Sequence, residues 1–302
     1  MGRAKIAPMV DPLSAAERAA DFAEKMLATP YRLPRPIVEY PPGAGPVERR
    51  EEMRPVYAAI VERIGPPTLL GATGDGPYVR WGRRGDTLLL TGDRAAATLV
   101  SVDTREFLRK EYDALQRNYG TPSPQRPPYL WRLDRKGPGP VTRYYEYAGH
   151  LNGRVGWEEF GEALERVLSS FVEHMPVQAG ECWVAFRLRA EGRDVLLNYD
   201  LRDHGAELCA IVEDRGTDDE DVMRARGWRS VDRYGRWRID LPEADPGSAA
   251  EIARVVVAEL RTRVRDPRSL MAHDVGAGDD GDLWLPGLGI EVWPRREAGD
   301  DH

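Results

Sequence analysis

Residues 226–242 read RGWRSVDRYGRWRIDLP, with five arginines, two tryptophans and one tyrosine in seventeen positions. Two chemistries suit that composition. Exposed rings stack on nucleobases for ~1–3 kcal/mol per base while guanidinium groups neutralise phosphates. Alternatively, the arginines rim a protein-binding surface, since Arg is enriched at such interfaces. Spacing separates the two. Over 235–241 the residue types alternate, and along a strand alternate side chains leave by opposite faces. Trp237, Ile239 and Leu241 therefore share one face, and Arg236, Arg238 and Asp240 the other. A nucleic-acid platform wants rings and cations on one side. The rings are expected in a core instead, where burying a Trp contributes on the order of 3 kcal/mol. Arg229, Arg233, Arg236 and Arg238 remain as candidate partner-binding residues. YVRWGRRG (78–85) alternates in the same way, and only a continuous positive face including Arg80, Arg83 and Arg84 would revive nucleic acid.

The other chemistry-bearing stretches are weaker. GATGDG (71–76) is glycine-rich, but it lacks the Walker lysine and the dinucleotide fingerprint, and it precedes a strand where phosphate cradles precede a helix. It reads as a loop. His150, His174, His204, His273 and His302 never fall in HExxH or HxH spacing. Cys182 and Cys209 sit in apolar strand-like runs and read as buried reduced thiols. The acidic runs 213–221 and 279–282 lack the ligand order of a calcium loop, and no G-x-S-x-G elbow presents a nucleophile. No catalytic residue, cofactor or metal ligand is assigned. An acid–base pair assembled by folding would leave no local trace, so a cleft between the two halves stays the place where an enzyme would carry its site.

Hydrophobic periodicity sets out the elements that must position these residues. Ser14 and Glu17 form a capping box for a helix over 14–28 that buries Phe22 and Met26. A proline-rich strap at 29–47 follows, then a helix at 50–64 with Met53, Tyr57, Ile60, Val61 and Ile64 on one face. Strands at 77–82, 86–92 and 96–102 precede a helix capped by Asp103. After a Pro/Gly-rich stretch, a long helix carries Phe160, Leu164, Val167, Leu168, Phe171 and Met175 inward, and strands follow at 181–189, 194–200 and 206–213. A short helix at 217–227, capped by Thr217, stops at Gly227. The strand at 235–241 comes next, then a helix opened by a capping box at Ser248 and Glu251 and closed by Asp266 and Pro267. DLWLPGLGIEVWP (282–294) reads as an added hairpin.

This pattern predicts an α+β protein of two domains, each an antiparallel sheet backed by helices: residues 1–120, a linker at 121–149, and residues 150–302. The element order repeats, as a decayed duplication or as two generic hairpins. A net charge of −7 disfavours polyanionic partners unless the arginines are segregated. No apolar run is long enough to span a bilayer, and the opening residues lack a signal-peptide core, so a cytoplasmic location and no membrane partner are expected.

Trp157 and Phe160 opening an amphipathic helix, three strands, Arg226-Gly227-Trp228, Trp237 with Pro242 beyond it, and Asp266, Pro267 and Leu270 after the last helix resemble the C-terminal domain of the TY-Chap families. These are bacterial domains named for likeness to the type III secretion chaperone fold. The resemblance covers about 155–272 and rests on Trp, Gly and Pro landmarks. It implies a compact sheet-and-helix module that binds protein partners, as a secretion-linked chaperone or immunity-type component. Arg226 departs from the apolar residue more usual before Gly-Trp, and the added hairpin departs as well. In the first half, Gly65-Pro66-Pro67-Thr68-Leu69 with Arg80 and Trp81 resembles domains of high-GC bacteria to which no activity is attached. The expected function is non-catalytic protein binding, with an enzyme in the interdomain cleft as the alternative and nucleic-acid binding third.

Overall fold

The computed structural model describes residues 14–82, 85–109, 129–135, 156–180, 183–190, 193–200, 207–213, 220–277 and 281–293. Its helices are α1 (Ala15–Ala28), α2 (Pro46–Ile64), α3 (104–109), α4 (Trp157–Gln178), α5 (Glu220–Ala225) and α6 (Pro246–Arg263). The first seven strands are β1 (Arg35–Glu39), β2 (Leu69–Ala72), β3 (Tyr78–Gly82), β4 (Asp86–Gly92), β5 (Ala96–Asp103), β6 (Trp131–Arg135) and β7 (Trp183–Ala190). The second seven are β8 (Arg193–Asp200), β9 (Glu207–Glu213), β10 (Ser230–Val231), β11 (Arg236–Leu241), β12 (Met271–Ala277), β13 (Gly281–Trp284) and β14 (Glu291–Trp293). The architecture is α+β. One sheet has the order β1-β5-β4-β3-β2-β6-β13 and the other β10-β11-β9-β8-β7-β12-β14. Neighbours pair antiparallel, except that β14 runs parallel to β12.

Local rules account for most elements. Ser14 and Glu17 cap α1 reciprocally, and Met26 is buried while Phe22 is only partly so. The strap supplies an edge strand: β1 pairs with β5, and Pro36, which has no N–H to donate, is tolerated at the edge. α2 starts four residues before its expected position because Pro46 occupies its first turn, where a missing N–H costs nothing. Asp103 caps α3 by accepting the Glu106 N–H at 2.8 Å. Gly227, at φ 104°, ends the α5 region as expected, whereas Thr217 lies outside the described residues.

Four expectations are corrected. The capping box at Ser248 and Glu251 does not form: Asp245 caps α6 from one turn earlier by accepting the Ser248 N–H at 2.7 Å, and Pro246 begins the helix. β2 extends into the glycine-rich stretch as far as Ala72. Residues 131–135, expected in a linker, form β6 inside the first sheet; its buried Trp131 and Leu133 outweigh the surrounding Pro and Gly. Finally, 281–284 and 291–293 are not a hairpin. β13 joins the first sheet beside β6, and β14 returns to the second sheet.

One core serves both sheets. α4 packs against α2 and α6, and Phe171 at its centre is the hub. The Phe171 ring lies 5.4 Å from Trp131 of the first sheet, 6.3 Å from Phe186 and 6.1 Å from Tyr199 of the second. The Trp131 and Phe186 contacts are edge-to-face, and such pairs add ~0.5–1.5 kcal/mol each beyond burial. The Trp131 indole N–H donates to Ser170 Oγ at 2.8 Å, so the ring is buried without an orphaned donor.

Candidate functional site

The arginine-rich stretch forms the β10–β11 hairpin at the outer edge of the second sheet. Asp232 builds its turn by accepting the backbone N–H of Tyr234 at 2.8 Å and of Arg236 at 3.0 Å, and Gly235 takes φ 70°. The strand alternates as expected. Trp237, Ile239 and Leu241 are buried, and Arg236, Arg238 and Asp240 lie on the opposite, half-exposed face. Trp228 is buried too, so both tryptophans are core.

Of the four candidate arginines, three are occupied at home. Arg229 pairs with Glu251 at 2.7 Å, Arg236 with Asp232 at 2.7 Å, and Arg238 with Asp240 at 2.5 Å. The Arg236 side chain is the first cause holding the Asp232 carboxyl below its ordinary range. Arg238 also reaches the Sγ of buried Cys209 at 3.9 Å, and burial, with the Asp240 charge next, pushes that thiol up to about 12. Cys209 is thus a neutral packed thiol; Cys182 lies outside the described residues. Arg233 differs from the other three: its guanidinium sits over the Tyr234 ring at 4.7 Å, with Arg236 over the same ring at 5.0 Å. Tyr234 is 64% exposed and Val231 46%, so the hairpin ends in an apolar and aromatic tip flanked by guanidinium groups.

Arg226 has a different task. Its Nη1 donates to Glu259 Oε2 at 3.2 Å, and Glu259, wholly buried on α6, also pairs with Arg263 at 2.7 Å. A buried carboxylate on a helix that packs on a sheet requires cations nearby. That explains an arginine before Gly227-Trp228.

The cleft between the halves lies where α2 crosses α4. It is a narrow crevice with little free space, lined by Tyr40, Arg49, Met53, Glu173, His174 and Gln178 among others. Its polar groups brace the fold. Pro176 stands inside α4 and has no N–H, so the carbonyl one turn back, at Val172, loses its helical donor. Arg50 of α2 donates to that carbonyl at 3.2 Å. Arg54 and Tyr57, further along the same face of α2, donate to the carbonyls of Pro176 at 2.9 Å and Gln178 at 3.1 Å, near the end of α4 where helical partners run out. The last turn of α4 has no basic residue of its own, and α2 supplies the cations that suit a helix C-terminus.

Two further contacts complete the brace. Arg49 makes a two-pronged pair with Glu173, both distances 2.8 Å, and also donates to the carbonyl of Ala44. The buried Gln178 amide takes both backbone groups of Gly71, each at 3.0 Å, in the manner of a strand neighbour. Burial pushes the Tyr40 phenol up to about 12, with Glu173 adding to the effect, and burial drives the His174 imidazole down to about 4. Both are neutral near pH 7. The cleft therefore holds a satisfied ion pair, a neutral phenol and an imidazole too weakly basic to take a proton at that pH. From sequence, Met53 and Tyr57 read only as core and His174 only as lying outside metal-ligand spacing; the brace was missed, although Pro176 inside the last turn of α4 and the 50, 54, 57 spacing on α2 were the available signals.

The remaining candidates resolve into packing. In GATGDG, Thr73 ties the turn by accepting from Asp75 and Gly76, and a side chain at Gly71 or Gly76 would strike backbone oxygens at 2.8 and 2.7 Å. Those glycines serve close packing. Arg80 is buried beneath the Phe107 ring and donates to the Tyr129 hydroxyl at 3.1 Å, so it offers no charge to an exposed face; Arg83 and Arg84 lie outside the described residues. Among the described residues, no group of three or more His, Cys, Asp or Glu is placed to hold a metal ion, and no helix is long and apolar enough to cross a membrane. No protein-family model matches the chain, and no curated protein or solved structure matches it.

Proposed function

We propose that the protein is a non-catalytic, cytoplasmic component that binds a protein partner, in the manner of a secretion chaperone or toxin-immunity protein, and that the β10–β11 hairpin makes the contact. One observation carries this reading: Tyr234 and Val231 are exposed at 64% and 46% on a short edge hairpin, with Arg233 and Arg236 stacked on the tyrosine ring. Tyr and Arg are the residue types that dominate interface energetics. Ion pairs of Arg229, Arg236 and Arg238 with their own neighbours hold the tip in one geometry, which lowers the entropy lost on binding. The chaperone or immunity character rests on the resemblance of residues 155–272 to TY-Chap domains.

A photo-crosslinking amino acid installed at position 231 or 234, with position 47 on α2 as reference, tests the proposal in the native cell. The expected result is a discrete adduct with one protein from 231 and 234 and none from 47. Absence of any adduct at the hairpin, or the same adducts from all three positions, overturns it. A secreted or toxin-like protein in the adduct supports the chaperone or immunity reading, and a housekeeping protein counts against it.

A further inference from the structure

The chain crosses between the two sheets at its C-terminal end. β12 lies in the second sheet between β7 and β14, β13 pairs with β6 at the edge of the first sheet, and β14 lies beside β12 again. A strand contributed by the second half therefore completes the sheet of the first. Between β13 and β14, a 3₁₀ turn at Pro286–Leu288 packs against α4. The Gly287 N–H donates to the Leu130 carbonyl at 2.9 Å. A Cβ at Gly287 would sit 2.6 Å from the Leu130 Cα and carbonyl oxygen, so the segment is seated directly on the backbone that leads into β6.

The magnitude of burial decides what this segment does. Leu283, Leu285, Leu288 and Ile290 are all at most 4% exposed, and Trp284 covers the Arg132 guanidinium at 5.6 Å. Four aliphatic side chains buried to that degree are worth far more than the thermal energy that opens a lid. A strap poised to lift is excluded on that ground, and a fixed clasp is what remains.

We infer that residues 281–293 are a clasp that joins the two sheets into one cooperative unit, so that neither reaches its native stability without the other. The sequence runs as two helix-and-strand blocks, which on their own would be free to unfold separately. The clasp and the Phe171 hub remove that freedom: β6 has its outer neighbour, and α4 its cover at the 3₁₀ turn, only when the later segment is docked.

Hydrogen exchange of the full-length chain across a denaturant series tests the inference. In the wild type, amides of β4 and β5 and amides of β8 and β9 are expected to lose protection at the same midpoint; two separated midpoints overturn the inference. Leu288→Ala in the full chain then asks whether the clasp itself carries the coupling. Protection in both sheets is expected to fall by the same factor, about 30-fold or more for a buried leucine truncation. Loss confined to 281–293, or to one sheet alone, overturns it. If Leu288→Ala does not fold, Ile290→Val supplies a milder truncation with the same two readouts.

Discussion

The α2–α4 brace and the β10–β11 hairpin are both built from arginines, and they use them in opposite ways. In the brace, Arg49 and Glu173 are a two-pronged pair with side-chain exposures of only 14% and 12%, while Arg50 and Arg54 donate to helix carbonyls. In the hairpin, Arg229 and Glu251 are exposed at 51% and 37%, and Arg233 stacks on an exposed ring. Water screens the second set and largely spares the Arg49–Glu173 pair. One residue type thus serves as an internal strut in one place and as surface chemistry in another, with burial setting the difference.

The inward side of the hairpin carries the largest expected effect: Trp237→Ala should cost ~3–5 kcal/mol in denaturant unfolding, and a loss below about 1 kcal/mol would remove the ring from the core. Next is Glu173→Gln, which leaves Arg49 buried without its counter-charge and should cost ~3 kcal/mol. A near-zero change would place the brace with ordinary surface pairs.

A pH dependence follows from His174. Its folded value is driven from 6.5 to about 4 by burial, so the unfolded chain takes up a proton first as pH falls. Stability is full above about 6.5 and is lost as pH falls from there to about 4, a change of ~3 kcal/mol. His174→Gln should flatten that part of the profile, and a wild-type stability that rises on acidification over this window contradicts the assignment.

The hairpin's outer face closes the series. Arg229→Ala should cost ~0.2–1 kcal/mol and less in high salt. Tyr234→Ala should change stability by no more than ~0.5 kcal/mol while abolishing the adduct formed from position 231 in the crosslinking experiment. A large stability loss for Tyr234→Ala would make the tip structural and remove the basis of the proposed contact.

Much of the fold was legible because it follows short-range rules. The Ser14–Glu17 box, the Phe160 to Met175 face of α4 and the Trp237, Ile239, Leu241 alternation each depend on a spacing of two to four residues. Ser248 and Glu251 show where such rules compete. Asp245 followed by Pro246 caps the same helix one turn earlier, and Glu251 is then free to pair with Arg229. β6 was hidden because the Pro/Gly texture around 131–135 outweighs five residues of strand pattern, and nothing local to β13 says that its neighbour lies on the other sheet.

The arginine-bearing strand β11 was read from sequence and the arginine brace was not, for a physical reason. Alternation tells which side of a strand a residue takes, so Arg236 and Arg238 could be placed opposite Trp237 without coordinates. The worth of an arginine depends on what lies across from it, and Glu173 is more than a hundred residues from Arg49 in the chain. Local sequence pattern was enough for the α+β class, the long helices, the central strands β3–β5, β7–β9 and β11, and their inward faces. Only the tertiary structure decided which charges are buried, that Pro176 hands its orphaned carbonyl to Arg50, and that a strand near the C-terminus completes the first sheet, because each of these is a meeting of distant segments that no local period records.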